Sequence, residues 1–524
     1  MKKLPIGLQD FERLRQEEYL YVDKTEALYQ LTQEGVYYFL SRPRRFGKSL
    51  LVSTLAELFR GNQSLFEGLW VHDRWDWSQT HPVLEFRFNN ASYKISGLEA
   101  FLEEELYYQA EKYQITLRPA PYPSQLRELV TKLSQQHGQV VVLIDEYDKP
   151  ILDYLDDIDQ AKANREILKN FYSVLKPLDP HLRFVLLTGV SKFTGSPAGS
   201  VSIFSELNNL KDLTLHPRYT TLLGYTQAEL EHYFADRLDQ LAPQFEGRES
   251  LLEQIKQWYN GYSWDAKHFV YNPFSVLNFF DQASFQNFWF ETGTPTFLVK
   301  LLNREQRYNL ENLLVRSLVF NSFELDRIQP EALLFQTGYV TIKAIDMNQI
   351  YTLSYPNYEV KDSLLQHLLA QYSHQYPSDT SLLAFRMRQA LEQEDVASFA
   401  EALNALFASI PYQIFIADKE AYRRATPYHS VTFLALSLVG TFVQVEVSQA
   451  KGRPDAVVHT ESAIYVLEFK LDDNAEVALE QIKTNRYAAP YQHQNKAVQG
   501  VGFRFSSEHK AIDQWQEETL HAKD

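Results

Sequence analysis

A run of five aliphatic residues closing on two acids, Val140-Val141-Val142-Leu143-Ile144 followed by Asp145-Glu146, constrains the fold of this chain more than any other feature. An uninterrupted apolar strand must be covered on both faces, the situation of a parallel strand in an α/β sheet. Ligands of such sheets gather beyond the carboxyl ends of the strands, so Asp145 and Glu146 fall where chemistry is expected. Nearer the N-terminus, Tyr37-Tyr38-Phe39-Leu40 reads as a second buried strand, and Leu51, Leu55, Leu58 and Phe59 share one helical stripe. Between them lies Ser41-Arg42-Pro43-Arg44-Arg45-Phe46-Gly47-Lys48-Ser49.

In a phosphate-binding loop of this kind, backbone N–H groups cradle phosphate oxygens, a lysine reaches the β- and γ-phosphates, and a hydroxyl holds Mg²⁺. Gly47, Lys48 and Ser49 suit those roles. Arg42 stands where the first glycine of the motif is expected and Pro43 removes a donor, so an exposed basic loop is the bland alternative. Asp145 would hold Mg²⁺ directly or through water, and Glu146 would orient an attacking water. The alternative for those acids is a solvated turn, Asp145-Glu146-Tyr147-Asp148. Both halves in this order favour a nucleoside triphosphate site. Val83–Phe88, Arg183–Thr188 and Asp212–Leu215 read as further strands, and Thr188 and Ser191 are equally placed to sense a γ-phosphate or the lytic water. Gly195–Ser200 reads as a flexible loop.

With 51 basic and 67 acidic residues the formal charge is −16, which excludes adhesion to nucleic acid over the whole surface and confines such a site to a local patch. The absence of cysteine excludes disulfides and thiolate-bound zinc and leaves carboxylates as the natural metal ligands. Met1–Asp10 has no apolar core of a secretory signal, and Phe433–Val447 is too short and polar to span a bilayer. The expectation is a cytoplasmic protein with no membrane partner.

Near the C-terminus, Pro454–His459 and Ala463–Lys470 read as a hairpin. Glu468 and Lys470 lie two apart on one strand and share a face, while Phe469 turns to the other. Asp455 begins the neighbouring strand, close enough to share a divalent cation with Glu468. Such a pair would hold Mg²⁺ or Mn²⁺, and Lys470 would position a water or stabilise the pentavalent phosphorus. A surface ion pair is the bland reading of Glu-x-Lys. A helix to about Val439 and a strand Thr441–Val447 precede this hairpin. A helix with Asp473 as N-cap and Glu476 at the capping-box position follows it, and then a last strand within Lys496–Phe505. Glu446 is either a third acid or a solvated strand residue. Lys451, Arg453, Lys483 and Arg486 supply local charge for a phosphate backbone or are ordinary solvated cations.

Between these regions, Thr226–Ala242 and Glu249–Tyr259 have amphipathic helical patterns, Asn272-Pro273 opens another helix, and Leu334–Ile342 leads through Tyr351–Leu353 as a hairpin. Trp258, Trp264, Phe279, Phe280 and Trp289 read as core in preference to base-stacking platforms.

Gln9-Asp10-Phe11, Tyr21-Val22-Asp23-Lys24-Thr25, Arg42 to Leu50, Ile144 to Asp148 and Phe204 to Leu210 together resemble the AAA-ATPase-like family of prokaryotic proteins that commonly carry a C-terminal PD-(D/E)XK nuclease-like domain. The resemblance implies an α/β fold with a P-loop ATPase core on a parallel sheet, a helical, winged-helix-like middle module and a restriction-endonuclease-like α/β domain. The corresponding boundaries are 1–222, 223–385 and 386–524. It makes Arg42 the family's usual residue at its position and adds Arg44 and Arg45 to the ATP-binding candidates. It also implies accessory roles for Gln481 and Tyr487 beside Asp455, Glu468 and Lys470. The expected function is ATP binding and hydrolysis coupled to metal-dependent cleavage of DNA or RNA, in a chain able to oligomerise. The alternative is a nucleotide-dependent regulator or scaffold whose nuclease-like domain does not cut.

Overall fold

The computed structural model describes residues 1–522 apart from 90–91, 193–208, 290–295, 306–308, 322–328, 374–375, 409–430, 441–443 and 448–453. The Gly195–Ser200 loop, most of the Phe204–Leu210 motif, Pro427–Ser430, Lys451, Arg453 and the Glu446 side chain lie outside the described residues.

The aliphatic run forms β3 (Val140–Asp145), buried at every position. With β1 (Tyr37–Ser41), β2 (Val83–Arg87), β4 (Leu182–Gly189) and β5 (Lys211–Asp212) it makes a sheet of order β2-β3-β4-β1-β5, every adjacent pair parallel. One strand, β4, therefore separates the strand that feeds the phosphate loop from the strand that ends in the acids. The helix Lys48–Arg60 starts at Gly47 with φ +91°, and a second left-handed glycine, Gly61, closes it by donating to the carbonyls of Glu57 and Leu58. The predicted stripe is only part of its buried surface. Residues Leu51 to Phe59 are all buried, because the helix packs on β2 and β3 and also on the short helix Phe11–Gln16. Asp10 caps that short helix, Phe11 is fully buried against Phe66, and its N–H donates to Ser53 Oγ at 2.9 Å.

After the sheet, Thr226 and Glu229 form a reciprocal capping box. The single helix expected over Thr226–Ala242 is broken into Gln227–Tyr233 and Ala235–Leu241 at Phe234. That ring is buried and stacks on Phe280 at 4.8 Å, a tertiary contact that amphipathic spacing does not reveal. Helices Arg248–Tyr259 and Pro273–Gln282 follow, the latter capped by the Asn272 side chain. Trp264, Phe279, Phe280 and Trp289 are buried, and Trp258 packs against the apolar cluster that contains Phe279 and Phe280. The hairpin of β7 (Thr341–Ile345) and β8 (Ile350–Ser354) gains a third strand, β6 (Leu313–Arg316), paired antiparallel to β8.

The C-terminal sheet is mixed, of order β13-β12-β11-β10-β9. β9 (Gln444–Val447), β10 (Ala456–His459) and β11 (Ala463–Leu471) are antiparallel neighbours, and β12 (Ala497–Ser506) runs parallel to β11. A long edge strand, β13 (Ala511–His521), adds to the expected order of elements. The helix Ala475–Thr484 is capped by Asn474, whose side chain accepts from the Glu476 N–H, one residue beyond the expected Asp473. Its Leu479 and Ile482 pack on Val457, Ile464, Val466 and Val498 of the sheet.

Two compact units emerge from the chain, residues 1–297 with 310–359 and residues 298–309 with 360–524. The first holds the parallel sheet and the three-stranded sheet, the second the mixed sheet. Among the described residues no helix is long and apolar enough to cross a membrane.

Candidate functional sites

Within the first unit, a cavity of about 350 Å³ opens at the carboxyl ends of the parallel strands. That volume is in the range of small-molecule sites. Arg44, Arg45, Gly47, Lys48, Ser49 and Glu146 all line it, as the sequence led one to expect. Its apolar wall, which motif reading missed, comes from Pro5, Leu8, Pro273, Phe274 and Leu277. The Arg45 guanidinium lies over the Phe274 ring, 4.7 Å from its centre.

Arg42 does not face the cavity. It is fully buried, donates to the carbonyls of Ser41, Thr214 and Tyr219 at 2.8 to 3.0 Å, and lies 3.9 Å from the centre of the Trp264 ring. Burial lowers its pKa to about 9. Where an ordinary loop has glycine, this one has a guanidinium strut fastening the loop to the chain beyond β5. The next loop residues are held as well. Trp289 Nε1 donates to Arg44 O at 3.1 Å, and the Pro43 ring abuts Gly338.

Lys48 Nζ donates to Arg42 O and Pro43 O, both at 2.9 Å, so the loop's own carbonyls hold the ammonium. Burial lowers the pKa of Lys48, against the opposing pull of Glu146, Asp145 and Asp148. Asp145, Thr188 and Ser191 are buried and do not line the cavity. Thr188 Oγ1 donates to Asp145 Oδ1 at 2.7 Å, which leaves Asp145 Oδ2 buried without a partner. Ser191 Oγ is likewise buried and unpartnered. Glu146 has φ +54°, a costly conformation for a residue with a Cβ and one that clusters at ligand sites.

Asp148, expected in the acidic turn, also lines the cavity. Its carboxylate accepts the N–H groups of Val190 (3.0 Å) and Ser191 (2.5 Å), and burial raises its pKa to about 6. Its spacing, three residues past Asp145 at a strand exit, was the available clue.

In the second unit the antiparallel register pairs Ala456 with Leu467 and Val457 with Val466. Continuing it by one step sets Asp455 opposite Glu468. Asp455 Oδ2 accepts the Phe469 N–H at 2.8 Å. Glu468 is buried, and its Oε1 accepts from Lys470 Nζ at 2.9 Å and Gln481 Nε2 at 2.5 Å. Its Oε2 is buried with no partner. Tyr487 OH accepts from Asn485 Nδ2 at 2.9 Å and sits 3.5 Å from Gln481 Nε2. Burial raises the pKa of both acids, and the Asp455 charge raises that of Glu468 further.

Phe469 faces away from this cluster and stacks on Phe503 at 5.0 Å. Lys483 is paired with Glu518 and Glu480. Glu446 occupies β9 opposite Val457. Among the described residues no group of three His, Asp or Glu side chains forms a metal cage.

A parallel sheet with a Gly-Lys-Ser loop after β1 and acids after β3 defines a P-loop, AAA-ATPase-like domain. The mixed sheet carrying Asp455, Glu468 and Lys470 defines a nuclease-like one. Family models agree: residues 5–197 match the predicted AAA-ATPase family and residues 424–515 the PD-(D/E)XK nuclease superfamily. The chain is 40% identical, over 98% of both proteins, to an Azotobacter chroococcum mcd 1 protein described as "Uncharacterized protein in vnfD 5'region". The chain belongs to this family of AAA-ATPase-like proteins with a C-terminal PD-(D/E)XK nuclease-like domain. Among solved structures, the Aeropyrum pernix ORC2 protein in its ADPNP and ADP complexes aligns with 83% of this chain and 91% of its own. At TM-score 0.30 and 11% identity that likeness carries no weight, and the fold assignment rests on the strand order.

Proposed function

We propose that this protein binds and hydrolyses ATP at the loop following β1 and uses that cycle to govern metal-dependent cleavage of phosphodiester bonds in DNA or RNA at Asp455, Glu468 and Lys470. The finer division into an ATPase core over 1–222, a middle module over 223–385 and a nuclease domain over 386–524 belongs to the same proposal.

The carrying observation is that each site keeps one buried carboxylate oxygen without a partner, Asp145 Oδ2 in one and Glu468 Oε2 in the other. A buried, unpaired carboxylate oxygen is costly, and a cation satisfies it. The donors are the oxygens that hard divalent ions take: Asp455 with Glu468 for Mg²⁺ or Mn²⁺, and, for Mg²⁺ beside ATP, Ser49 at the cavity with Asp145, which is off its lining, reached through water. When bound, such an ion lowers the pKa of a coordinated water and neutralises phosphate charge.

The chain's own residues do the rest. Gly47 and the helix start at Lys48 offer N–H groups to phosphate oxygens, and the Lys48 ammonium exchanges two loop carbonyls for the β- and γ-phosphates. Glu146, at the cavity wall, orients the attacking water, while Thr188 fixes one oxygen of Asp145. In the nuclease-like site Gln481 and Lys470 hold the same Glu468 oxygen, so the other keeps its direction. Lys470 then supplies positive charge where charge develops on the scissile phosphate.

The test is a matrix of single- and double-stranded DNA and RNA with Mg²⁺ or Mn²⁺, with and without ATP, for wild type and Lys470→Ala. Loss of cleavage with ATP turnover retained supports the proposal. The two-carboxylate site, with no third acid among the described residues, favours a second reading as a nucleotide-dependent regulator. Hydrolysis of ATP without cleavage under any condition selects that reading. Lys48→Ala abolishes ATP binding if the cradle is correctly placed; full retention rejects the placement.

A further inference from the structure

The helical turn after the acids of β3 brings to the cavity a cation that neither motif uses. Lys149 lines it beside Glu146 and Asp148, and its backbone N–H donates to Glu146 O at 3.0 Å. Its ammonium lies 3.1 Å from both oxygens of Asp153. Asp153 also accepts from Tyr93 OH at 2.7 Å and is paired with Lys94 Nζ at 2.8 Å.

If Lys149 swings away, Asp153 therefore keeps a hydroxyl and an ammonium and is not stranded as an unpaired buried charge. The asymmetry of exposure agrees: the Lys149 side chain is 25% exposed and Asp153 only 11%. Leaving costs the carboxylate little, whereas removing the sole partner of a buried charge is costly.

The cavity lining is both apolar and charged. Pro273 and Phe274 in it suit a base, and on the ATP-site reading Gly47 to Ser49 take the phosphates. Glu146 and Asp148 both act electrostatically on Lys48, whose ammonium serves the β- and γ-phosphates. The β3 exit is thus at the terminal-phosphate end, and Lys149 stands on that turn.

We infer that Lys149 is a cation acting within the same chain on the terminal phosphate, exchanging Asp153 for a γ-phosphate oxygen when a triphosphate binds and making the site discriminate ATP from ADP. This rests on the ATP-site reading above. The full-length protein is titrated with methylanthraniloyl-labelled ADP and with the β,γ-imido analogue of ATP, each in Mg²⁺ and in EDTA.

Wild type is expected to bind the triphosphate analogue more tightly. Lys149→Ala is expected to reduce that preference about tenfold, the scale of one charge-assisted contact to phosphate, with ADP affinity unchanged. Lys149→Arg should keep the preference, and so should Asp153→Asn, which removes the tether and keeps the lysine. Lys149→Met, with a stem of similar length, replaces the alanine variant if that one fails to fold by thermal melting.

Three results overturn the inference while leaving the ATP site standing: no triphosphate preference in wild type, full preference in Lys149→Ala, or equal loss of both nucleotides. Binding of neither nucleotide by wild type is distinct, because it removes the ATP site itself.

Discussion

Glu468 has one oxygen fixed by two donors and the other held in a buried place with nothing to bind. Burial raises the pKa of both Asp455 and Glu468 from their ordinary values. Between the ordinary value and the raised one the folded state binds more protons than the unfolded chain, so metal-free stability falls as pH rises through that window. Glu468→Gln removes part of this slope. Melting in EDTA from pH 4 upward should show a shallower decline for the variant; an unchanged or steeper slope means that burial of the charge is not the cause. Metal binding runs in the opposite sense, strengthening as pH rises, because the ligands must be deprotonated. Gln481→Ala leaves both acids in place but removes one of the two donors on Glu468 Oε1, Lys470 remaining, and Mn²⁺ affinity should drop about 10- to 100-fold, the usual effect of losing an outer-shell partner. Unaltered affinity in a calorimetric titration would show that Gln481 does not orient the acid.

At this scale the placement of Lys48 and Ser49 at the cavity and of Lys470 beside Glu468 was legible, because motif spacing encodes a local geometry. Arg42 was not. Its guanidinium is satisfied by carbonyls at positions 41, 214 and 219, two of them far away in sequence, and no local pattern announces such partners.

Elements follow a similar division. β3 and the helix after Gly47 were readable because an aliphatic run and a helical stripe are local signals. β13 was not, since its residues are mostly exposed and polar and its order comes from pairing with β12. The break at Phe234 escaped for the same reason, being set by a ring from another helix. The helix Pro330–Thr337 ends at Gly338 with φ +91°, and a Cβ there would lie 2.7 Å from the Pro43 ring. Gly338→Ala should therefore cost about 1–3 kcal/mol of stability through backbone strain and also weaken ATP binding by displacing Pro43. Denaturant melts and nucleotide titrations check this; reduced stability with unchanged affinity would uncouple that helix end from the phosphate loop.

For the whole molecule, sequence reading identified both domain types, while the two-unit division emerged only from long-range packing. If ATP governs cleavage, linkage requires that nucleic acid change ATP affinity by the factor by which ATP changes nucleic-acid affinity. With a net charge of −16, the proposed nucleic-acid binding has to use local cations, and it is expected to weaken as salt rises.

On the proposed reading Asp455 and Glu468 share one divalent ion beside Lys470. Electron paramagnetic resonance of Mn²⁺ with nucleotide-free protein reads that ion out. Wild type should take up one Mn²⁺ that both Glu468→Gln and Asp455→Asn lose while Lys48→Ala retains it; equal uptake by wild type and the two carboxylate variants, or none by wild type, contradicts the claim.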